Sequence, residues 1–234
     1  MKKYTITKNK RELYGIVFHQ IRAARDIARN GVQKGDLGGW VQKKENLDQA
    51  GDAWVSGAAR VFGDAQVFGD ARVFGAARVS GDAWVSGDAQ VSGDAQVFGD
   101  AQVFGDARVF GDARVFGAAR VSGDAWVSGD ARVFGDAQVF GDAQVFGDAW
   151  AKSPPYIQGS KHAVTAYSRT EIAVGCERHP VAEWLARYEE IGRRHGYTPE
   201  EIEEYGRHLR YVAEWMARLP AVEAPPEETT DAGA

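Results

Sequence analysis

One six-residue phrase, Gly-Asp-Ala-x-Val followed by Phe or Ser, recurs from Gly51 onward without an insertion. Seventeen units begin at every sixth residue from Gly51 to Gly147, and only the last of them, GDAWAK, departs strongly from the phrase. A period of six with Val, Ala and Gly at constant places is typical of a parallel β-helix, in which each hexad forms one short strand and a turn. Such a chain buries its apolar side chains by stacking coil on coil.

Strand geometry indicates which side chains of a hexad face inward. Alternation along a strand places Ala and Val on one side, and the variable residue x together with Phe or Ser on the other. The variable residue is almost always Arg, Gln or Trp, and buried arginines without partners would be strongly destabilising. We therefore expect Ala and Val to form the core. Gly and Asp then take the corners, where Gly tolerates a positive φ and Asp can bond to backbone amides.

The repeat, residues 51–152, predicts an all-β solenoid, a triangular parallel β-helix with three hexads per coil. Between five and six coils would each rise about 4.8 Å. The twelve residues GAARVSGDAWVS occur at 75–86 and again at 117–128, an offset of seven hexads. Because seven is not a multiple of three, the two copies should lie on different faces. Such a duplication would scramble a catalytic face, and it favours a spacer or a binding surface.

The outward position after Val alternates between Phe and Ser in blocks. The blocks are Phe at 62–74, Ser at 80–92, Phe at 98–116, Ser at 122–128 and Phe at 134–146. Since three or four hexads make about one turn, the blocks predict alternating girdles of Phe and Ser around the rod. An apolar girdle favours self-association or partner docking. The alternative is that neighbouring rings only stack on one another and on Arg stems, which would stabilise the coils.

The residues that we expect to offer a binding surface are aromatic or basic and point outward. They are Phe98, Phe104, Phe110, Phe116, Arg108, Arg114, Trp126 and, in the C-terminal segment, Trp184.

Charge is distributed unevenly along the chain. Residues 1–50 carry 11 Lys and Arg against 5 Asp and Glu, whereas residues 51–150 carry 7 Arg against 14 Asp. An acidic repeat repels a phosphate backbone, so we do not expect nucleic acid to bind along the rod. The single cysteine leaves no internal disulfide and suits a reducing compartment. With no signal peptide and no apolar run of about 20 residues in the sequence, we expect a cytoplasmic protein without membrane contact.

Residues 1–50 are expected to cap the rod, because a stack of coils leaves an open core and open strand edges at its ends. A helix is predicted from about His19 to Ala28. Val41 and Leu47 are already six residues apart. This spacing predicts a degenerate first coil that slips by two residues at 48–52 before the regular repeat begins.

A small α+β module is expected over residues 153–219, followed by a disordered acidic tail over residues 220–234. Two amphipathic helices should form a hairpin packed on a small sheet. The first begins at Pro180, and the second opens with a capping box at Thr198. The predicted strands span residues 156–158, 163–167 and 172–174.

Three residues of this module have metal-binding or nucleophilic potential, namely His162, Cys176 and His179. Cys-x2-His with a distant His would be a weak zinc site, because no fourth ligand is evident. A Cys and His pair would also serve as a nucleophile and its base. The simpler interpretation is a buried core thiol at Cys176 and a helix cap at His179, so we assign no catalytic residue, no metal and no cofactor.

The hexads GDARVF, GDAWVS and GDAQVF resemble those of the bacterial transferase hexapeptide superfamily, and the layout resembles phage and prophage hexapeptide-repeat proteins. In the phage group a phrase such as GDLGGW-V…ENL, here Gly35 to Leu47, leads into the hexads. The end piece, from GSKHAVTAYS at residue 159 onward, resembles a module that follows repeat arrays in other phage proteins. The resemblance implies a left-handed β-helix and an accessory phage protein that modulates host factors, including a role in counter-defence.

Acyltransferases of that superfamily use a histidine to deprotonate the acceptor, but residues 51–150 contain no His, Lys, Glu, Cys, Asn or Tyr. The rod therefore lacks a general base. We expect a non-enzymatic, homo-oligomeric scaffold that binds a host protein or sequesters a small nucleotide-like ligand through Arg and Trp. Alternatively, the non-enzymatic scaffold would act as a mimic of nucleic acid, which the ladders of Asp residues favour. The enzyme alternative is an acyltransferase-like or Cys-dependent activity in a cleft between the rod and the helices.

Overall fold

The computed structural model describes residues 2–147, 149–150 and 154–219, with only the backbone described at 149 and 150. The predicted acidic tail at 220–234 lies outside the described residues. Within them the chain forms a parallel β-solenoid of about six turns, followed by a small module of strands and helices. The predicted fold class is therefore confirmed, while the left-handed sense stays a prediction.

The hexads lie in turn on three sheets of nine, six and five strands, which are the three sides of the solenoid. A strand pairs in parallel with the strands three hexads before and after it, as Val97 does with Val79 and Val115. Three hexads therefore make one coil, as predicted. The strands are β4 (Trp54–Val55), β5 (Arg60–Val61), β6 (Gln66–Val67), β7 (Arg72–Val73), β8 (Arg78–Val79), β9 (Trp84–Val85), β10 (Gln90–Val91), β11 (Gln96–Val97), β12 (Gln102–Val103), β13 (Arg108–Val109), β14 (Arg114–Val115), β15 (Arg120–Val121), β16 (Trp126–Ser128), β17 (Arg132–Val133), β18 (Gln138–Val139), β19 (Gln144–Phe146) and β20 (Ala149–Trp150).

Alanine and valine fill the interior of the solenoid. The Ala in the third place and the Val in the fifth place of each hexad are fully buried from Ala53 to Val133, which confirms the predicted inward side. Backbone hydrogen bonds join each coil to the next, for example from the amide of Phe98 to the carbonyl of Val115 at 3.0 Å. The narrow apolar column and these ladders together hold the rod, and the outward side chains are not needed to close the core.

The corners bring glycines of successive coils into contact. Gly93 has a φ of +69°, and a Cβ built on it would lie 3.0 Å from both the amide nitrogen and the carbonyl oxygen of Gly111. Glycine is thus needed there for two reasons, the left-handed backbone and the close approach of the next coil.

The N-terminal segment is a β-hairpin, so the predicted helix from His19 to Ala28 is wrong. Strand β1 (Tyr4–Leu13) pairs antiparallel with β2 (Ile16–Ala23), and β2 pairs with β3 (Leu37–Val41), which joins the solenoid. Cross-strand pairing with β1 outweighs the local helical preference of this stretch. Short 3-10 helices follow at Ala28–Asn30 and Lys44–Asn46.

The slip of two residues at the start of the repeat is confirmed by the strand register. Val41 pairs with Val61 and Leu47 bridges to Val67, and each partner lies two residues beyond the position that three hexads would give. From Val55 onward, paired residues of neighbouring coils are three hexads apart with no additional residues. The first coil therefore carries two more residues than the others and leads from the hairpin into the regular solenoid.

The C-terminal module is a four-stranded antiparallel sheet covered by a helical hairpin. The sequence predicts the hairpin and three of the four strands. Thr198 and Glu201 form the predicted capping box. The elements are β21 (Tyr156–Gln158), β22 (Ala163–Ala166), β23 (Glu171–Val174), β24 (Glu177–Pro180), α1 (Val181–Arg194) and α2 (Pro199–Ala217).

Aromatic contacts dock this module on the last coil of the rod. The rings of Phe146 and Tyr167 stack with their centroids 5.6 Å apart. Phe140 contacts Tyr156 at 5.7 Å, and the amide of Phe146 donates to the carbonyl of Tyr167 at 2.8 Å. The outward phenylalanines at the end of the array therefore serve to attach the module.

Lys3 is fully buried where the hairpin meets the first coil, and its Nζ donates to the carbonyl of Ala50 at 3.1 Å. Burial lowers the pKa of Lys3 to about 8, against an opposing attraction from Asp48. Since the unfolded chain holds this proton up to about pH 10.5, the buried charge costs stability below pH 8, and the cost disappears as the pH rises toward 10.5.

Replacing Lys3 by Met should therefore remove a pH-dependent penalty. We expect K3M to exceed the wild type in free energy of unfolding by roughly 3 kcal/mol at pH 7 and to lose most of that advantage by pH 10.5, since one pKa unit is worth about 1.4 kcal/mol. Urea unfolding at both pH values measures the difference. If the free energy of unfolding depends on pH in the same way in K3M and in the wild type, the buried charge of Lys3 is not the cause of that dependence.

Candidate functional site

Three of the predicted surface residues form a cluster on the six-stranded sheet. Arg108 and Trp126 are cross-strand neighbours, and the guanidinium carbon of Arg108 lies 5.1 Å from the centroid of the indole ring. Phe110 meets the same ring edge-on with the centroids 6.0 Å apart. Trp126 remains 41% exposed. A cation–aromatic cluster of this kind is both a stabilising contact and a surface that a partner can cover.

A stack of phenylalanines runs along the nine-stranded sheet. Phe98 and Phe116 are parallel with their centroids 4.9 Å apart, and Phe116 and Phe134 continue the stack at 5.2 Å. Arg114 lies in the same sheet. These rings are half-buried by one another, so on this face the observed contacts follow the alternative interpretation, in which the rings stabilise the coils.

The block from Phe98 to Phe116 nevertheless passes once around the rod, because successive hexads lie on successive sheets. Phe104 lies on the five-stranded sheet and is 39% exposed. Among the repeat side chains that the structure describes, the most exposed aromatic ones lie on the five-stranded and six-stranded sheets. They are Trp84, Phe104 and Phe140 on the first and Phe74, Trp126 and Phe146 on the second.

Trp184 is not a surface residue, which corrects its prediction as a binding candidate. It is only 4% exposed, and its indole nitrogen donates to the carbonyl of Ile172 at 2.7 Å. It lies in the first turn of α1, which faces the small sheet. Its role is to join the helix to that sheet, and the apolar spacing of Val181, Trp184 and Ile191 along the helix already indicates this buried position.

Cys176 is exposed rather than buried, which is a second correction. It occupies the turn between β23 and β24, where the chain reverses at the surface. His179 is not a helix cap, since the N-cap of α1 is Pro180 and lacks a side-chain bond. The imidazole of His179 instead packs edge-on against Trp184, with the ring centroids 5.0 Å apart.

Glu177 is the centre of an ion-pair cluster that sequence reasoning missed. Its carboxylate contacts Nε2 of His179 at 3.0 Å, Nε2 of His195 at 2.8 Å and the guanidinium of Arg194 at 3.5 Å. Partial desolvation opposes ionisation, but the hydrogen bonds from the two histidines and the charges around them lower the pKa of Glu177. The cluster ties β24 to the end of α1.

His162, Cys176 and His179 do not form a metal site in the described part of the chain, where no three His, Cys, Asp or Glu residues are grouped to hold an ion. His162 and Cys176 line a cavity of about 40 Å³ beneath the helices, which has room for little more than a water molecule. A more open cleft of about 150 Å³ between the rod and the module is lined by His162, Lys161 and Asp142. Cys176 lines the cavity and not the cleft.

No helix among the described residues combines the length and apolarity that a bilayer-spanning segment requires.

A family model described as YdcK Beta solenoid repeat matches the chain at residues 65–81, 77–93, 101–117 and 107–123. The matched stretches lie in the hexad array, and each covers nearly one coil of three hexads. No curated protein matches the chain. Together with the parallel strands of the three sheets, the match leads to one conclusion: the chain is a β-solenoid repeat protein.

Proposed function

We propose that the protein is a non-enzymatic binding scaffold, a rigid rod that self-associates through exposed aromatic side chains. The observation that carries the proposal is that Phe occupies outward positions where the same repeat elsewhere uses Ser. Both residues fit the same backbone, so Phe is not required to close the coil. On the five-stranded sheet Phe104 is 39% exposed, whereas Ser86 and Ser122 take the equivalent positions in the coils on either side.

Charge supports a second copy of this chain as the partner that covers the exposed aromatic side chains. The chain carries a basic N-terminal segment and an acidic repeat, so two copies offer complementary surfaces to each other. The placement of the duplicated stretch also supports a binding role, because Trp84 and Trp126 lie on different sheets. Two equivalent tryptophans on different faces suit repeated contacts better than a single catalytic centre.

A cytoplasmic location, a phage or prophage origin, and capture of a host factor in counter-defence belong to the same proposal. Their support is the resemblance of the hexads, of the Gly35 to Leu47 phrase and of the end piece to phage repeat proteins. Mass spectrometry of the proteins and small molecules that copurify from a bacterial lysate is the direct way to identify such a factor.

Self-association can be tested by replacing Trp84 with Gln and Phe104 with Ser, the residues that the repeat itself uses elsewhere at these two positions of the five-stranded sheet. We expect light scattering to give an oligomeric mass for the wild type and a mass nearer the monomer for the double variant, because two exposed rings are removed from one face. The fold should be kept, since neither ring belongs to the Ala and Val core.

The matched control replaces Phe98 and Phe116, which stack on each other, with Ser. This variant loses the same number of rings, and we expect it to lower the melting temperature while leaving the oligomeric mass unchanged. A monomeric wild type at every concentration, or an equal change of mass in both variants, would rule out self-association through the exposed face.

A further inference from the structure

Three guanidinium groups meet at the N-terminal end of the nine-stranded sheet. Trp40, Arg60 and Arg78 are successive cross-strand neighbours. The guanidinium carbon of Arg11, on the hairpin, lies 4.6 Å from the centroid of the Trp40 ring. The hairpin also covers part of this face, because Phe18 packs edge-on against Phe62 with the ring centroids 5.5 Å apart. The three arginines therefore share one partly enclosed surface.

These arginines lack counterions among the described residues, where none of the observed ion pairs involves Arg11, Arg60 or Arg78. The Nε atom of Arg60 is buried without a hydrogen-bond partner. Burial, followed by repulsion from Arg78, lowers the pKa of Arg60, and Arg11 adds to the repulsion. A buried donor without a partner is costly, and within the described residues the guanidinium of Arg60 has neither a counterion nor an acceptor at Nε.

Two corner Asp residues that would compete with an anion for the arginines are replaced by Ala near the cluster. Fourteen of the seventeen hexads carry Asp at the corner, but the hexads that lead to Arg60 and Arg78 carry Ala58 and Ala76 instead. Some cations of the N-terminal segment do have acidic partners on the rod, as Arg29 pairs with Asp70 and with Asp88. Positive charge therefore lies uncompensated where Arg11, Arg60 and Arg78 come together.

We propose that Arg11, Arg60 and Arg78 form a binding site for the phosphate group of a small phosphorylated ligand. A phosphate presents several charged oxygens to the planar donor pairs of the guanidinium groups, which suit it better than a lysine would. The acidic corners elsewhere on the rod disfavour a long polyanion, so the ligand is a phosphomonoester or a pyrophosphate and not a nucleic-acid strand. The inference rests on the binding role proposed above and gives it a ligand class.

The test is isothermal titration of the full chain with pyrophosphate and with inorganic phosphate at constant ionic strength. We expect saturable binding by the wild type and a loss of about a hundredfold in affinity for the R60Q/R78Q double variant, roughly tenfold for each charged hydrogen-bonding partner. Gln is the residue that many hexads carry at this position, so the variant should keep the fold, which a circular dichroism melt verifies.

Arg120 provides the matched control. Its hexad also begins Gly-Ala-Ala-Arg, but its cross-strand neighbours are Gln102 and Gln138. R120Q should bind pyrophosphate within about twofold of the wild type, because no second guanidinium adjoins this position. No saturable binding by the wild type, or equal losses in R120Q and R60Q/R78Q, would overturn the site. Tighter binding of a short single-stranded oligonucleotide than of pyrophosphate would overturn the assignment to a small ligand.

Light scattering on the same samples separates this inference from the scaffold proposal. Oligomers that bind no phosphate would remove the site and keep self-association. A monomer that binds phosphate through Arg60 and Arg78 would keep the phosphate site and remove self-association.

Discussion

Val103→Asp is expected to abolish cooperative folding of the solenoid. Val103 is fully buried in β12, midway along the rod, between the valines of the coils on either side. The Ala and Val column offers a carboxylate no hydrogen-bond donor. An unpaired buried charge is expected to cost several kcal/mol, a large part of a total stability of about 5–15 kcal/mol. Soluble yield and the circular dichroism melt measure the effect.

Two further variants make this result interpretable. Gln102 is the outward neighbour of Val103 in the same strand, and Q102D should change the free energy of unfolding by no more than about 0.5 kcal/mol. V103T adds a hydroxyl at nearly constant volume and should cost about 1–3 kcal/mol. A V103D protein that melts like the wild type would show that the inward side has been assigned wrongly.

Gly93→Ala should give the second large effect. Alanine at a φ of +69° is strained, and its Cβ would lie 3.0 Å from two backbone atoms of Gly111, which cannot move without disturbing the next coil. We expect a loss of about 2–4 kcal/mol in the free energy of unfolding, of which about 1–2 kcal/mol is backbone strain. Urea unfolding monitored by circular dichroism measures the loss.

Gly15, in the turn of the N-terminal hairpin, separates the two causes. It has a φ of +72°, and a Cβ built on it would meet nothing within 4 Å. G15A should therefore show the strain alone, about 1–2 kcal/mol. If G93A and G15A lose the same stability, the close approach of neighbouring corners adds nothing.

The rod could be predicted because each of its features depends on a short period. Alternation within a strand places Ala and Val inside, and the strand register then follows from stacking each set of three hexads on the next. Even the irregular first coil could be inferred, since Val41 and Leu47 keep the period of six whereas Leu47 and Val55 are eight residues apart. Arg60 and Arg78 are also three hexads apart, so their pairing in neighbouring coils follows from the same register.

The ends of the chain could not be predicted in the same way, because tertiary contacts decide them. The stretch from His19 to Ala28 has a weak helical pattern, and only its pairing with β1 makes its first half a strand. Cys176 follows an apolar run but lies in the turn between β23 and β24, where the run no longer indicates burial. Arg11 reaches Trp40 only because the hairpin leans over the outer face.

Because every coil contains three hexads, the number of hexads determines the direction in which the C-terminal module points from the rod axis. Adding one hexad would carry the C-terminal module one sheet further around the axis, about a third of a turn, and move it outward by about a third of the roughly 4.8 Å spacing between coils. Adding three would lengthen the rod and leave the module's azimuth unchanged. Duplication of hexads in a gene of this kind can therefore re-aim the module relative to the N-terminal hairpin without altering either end.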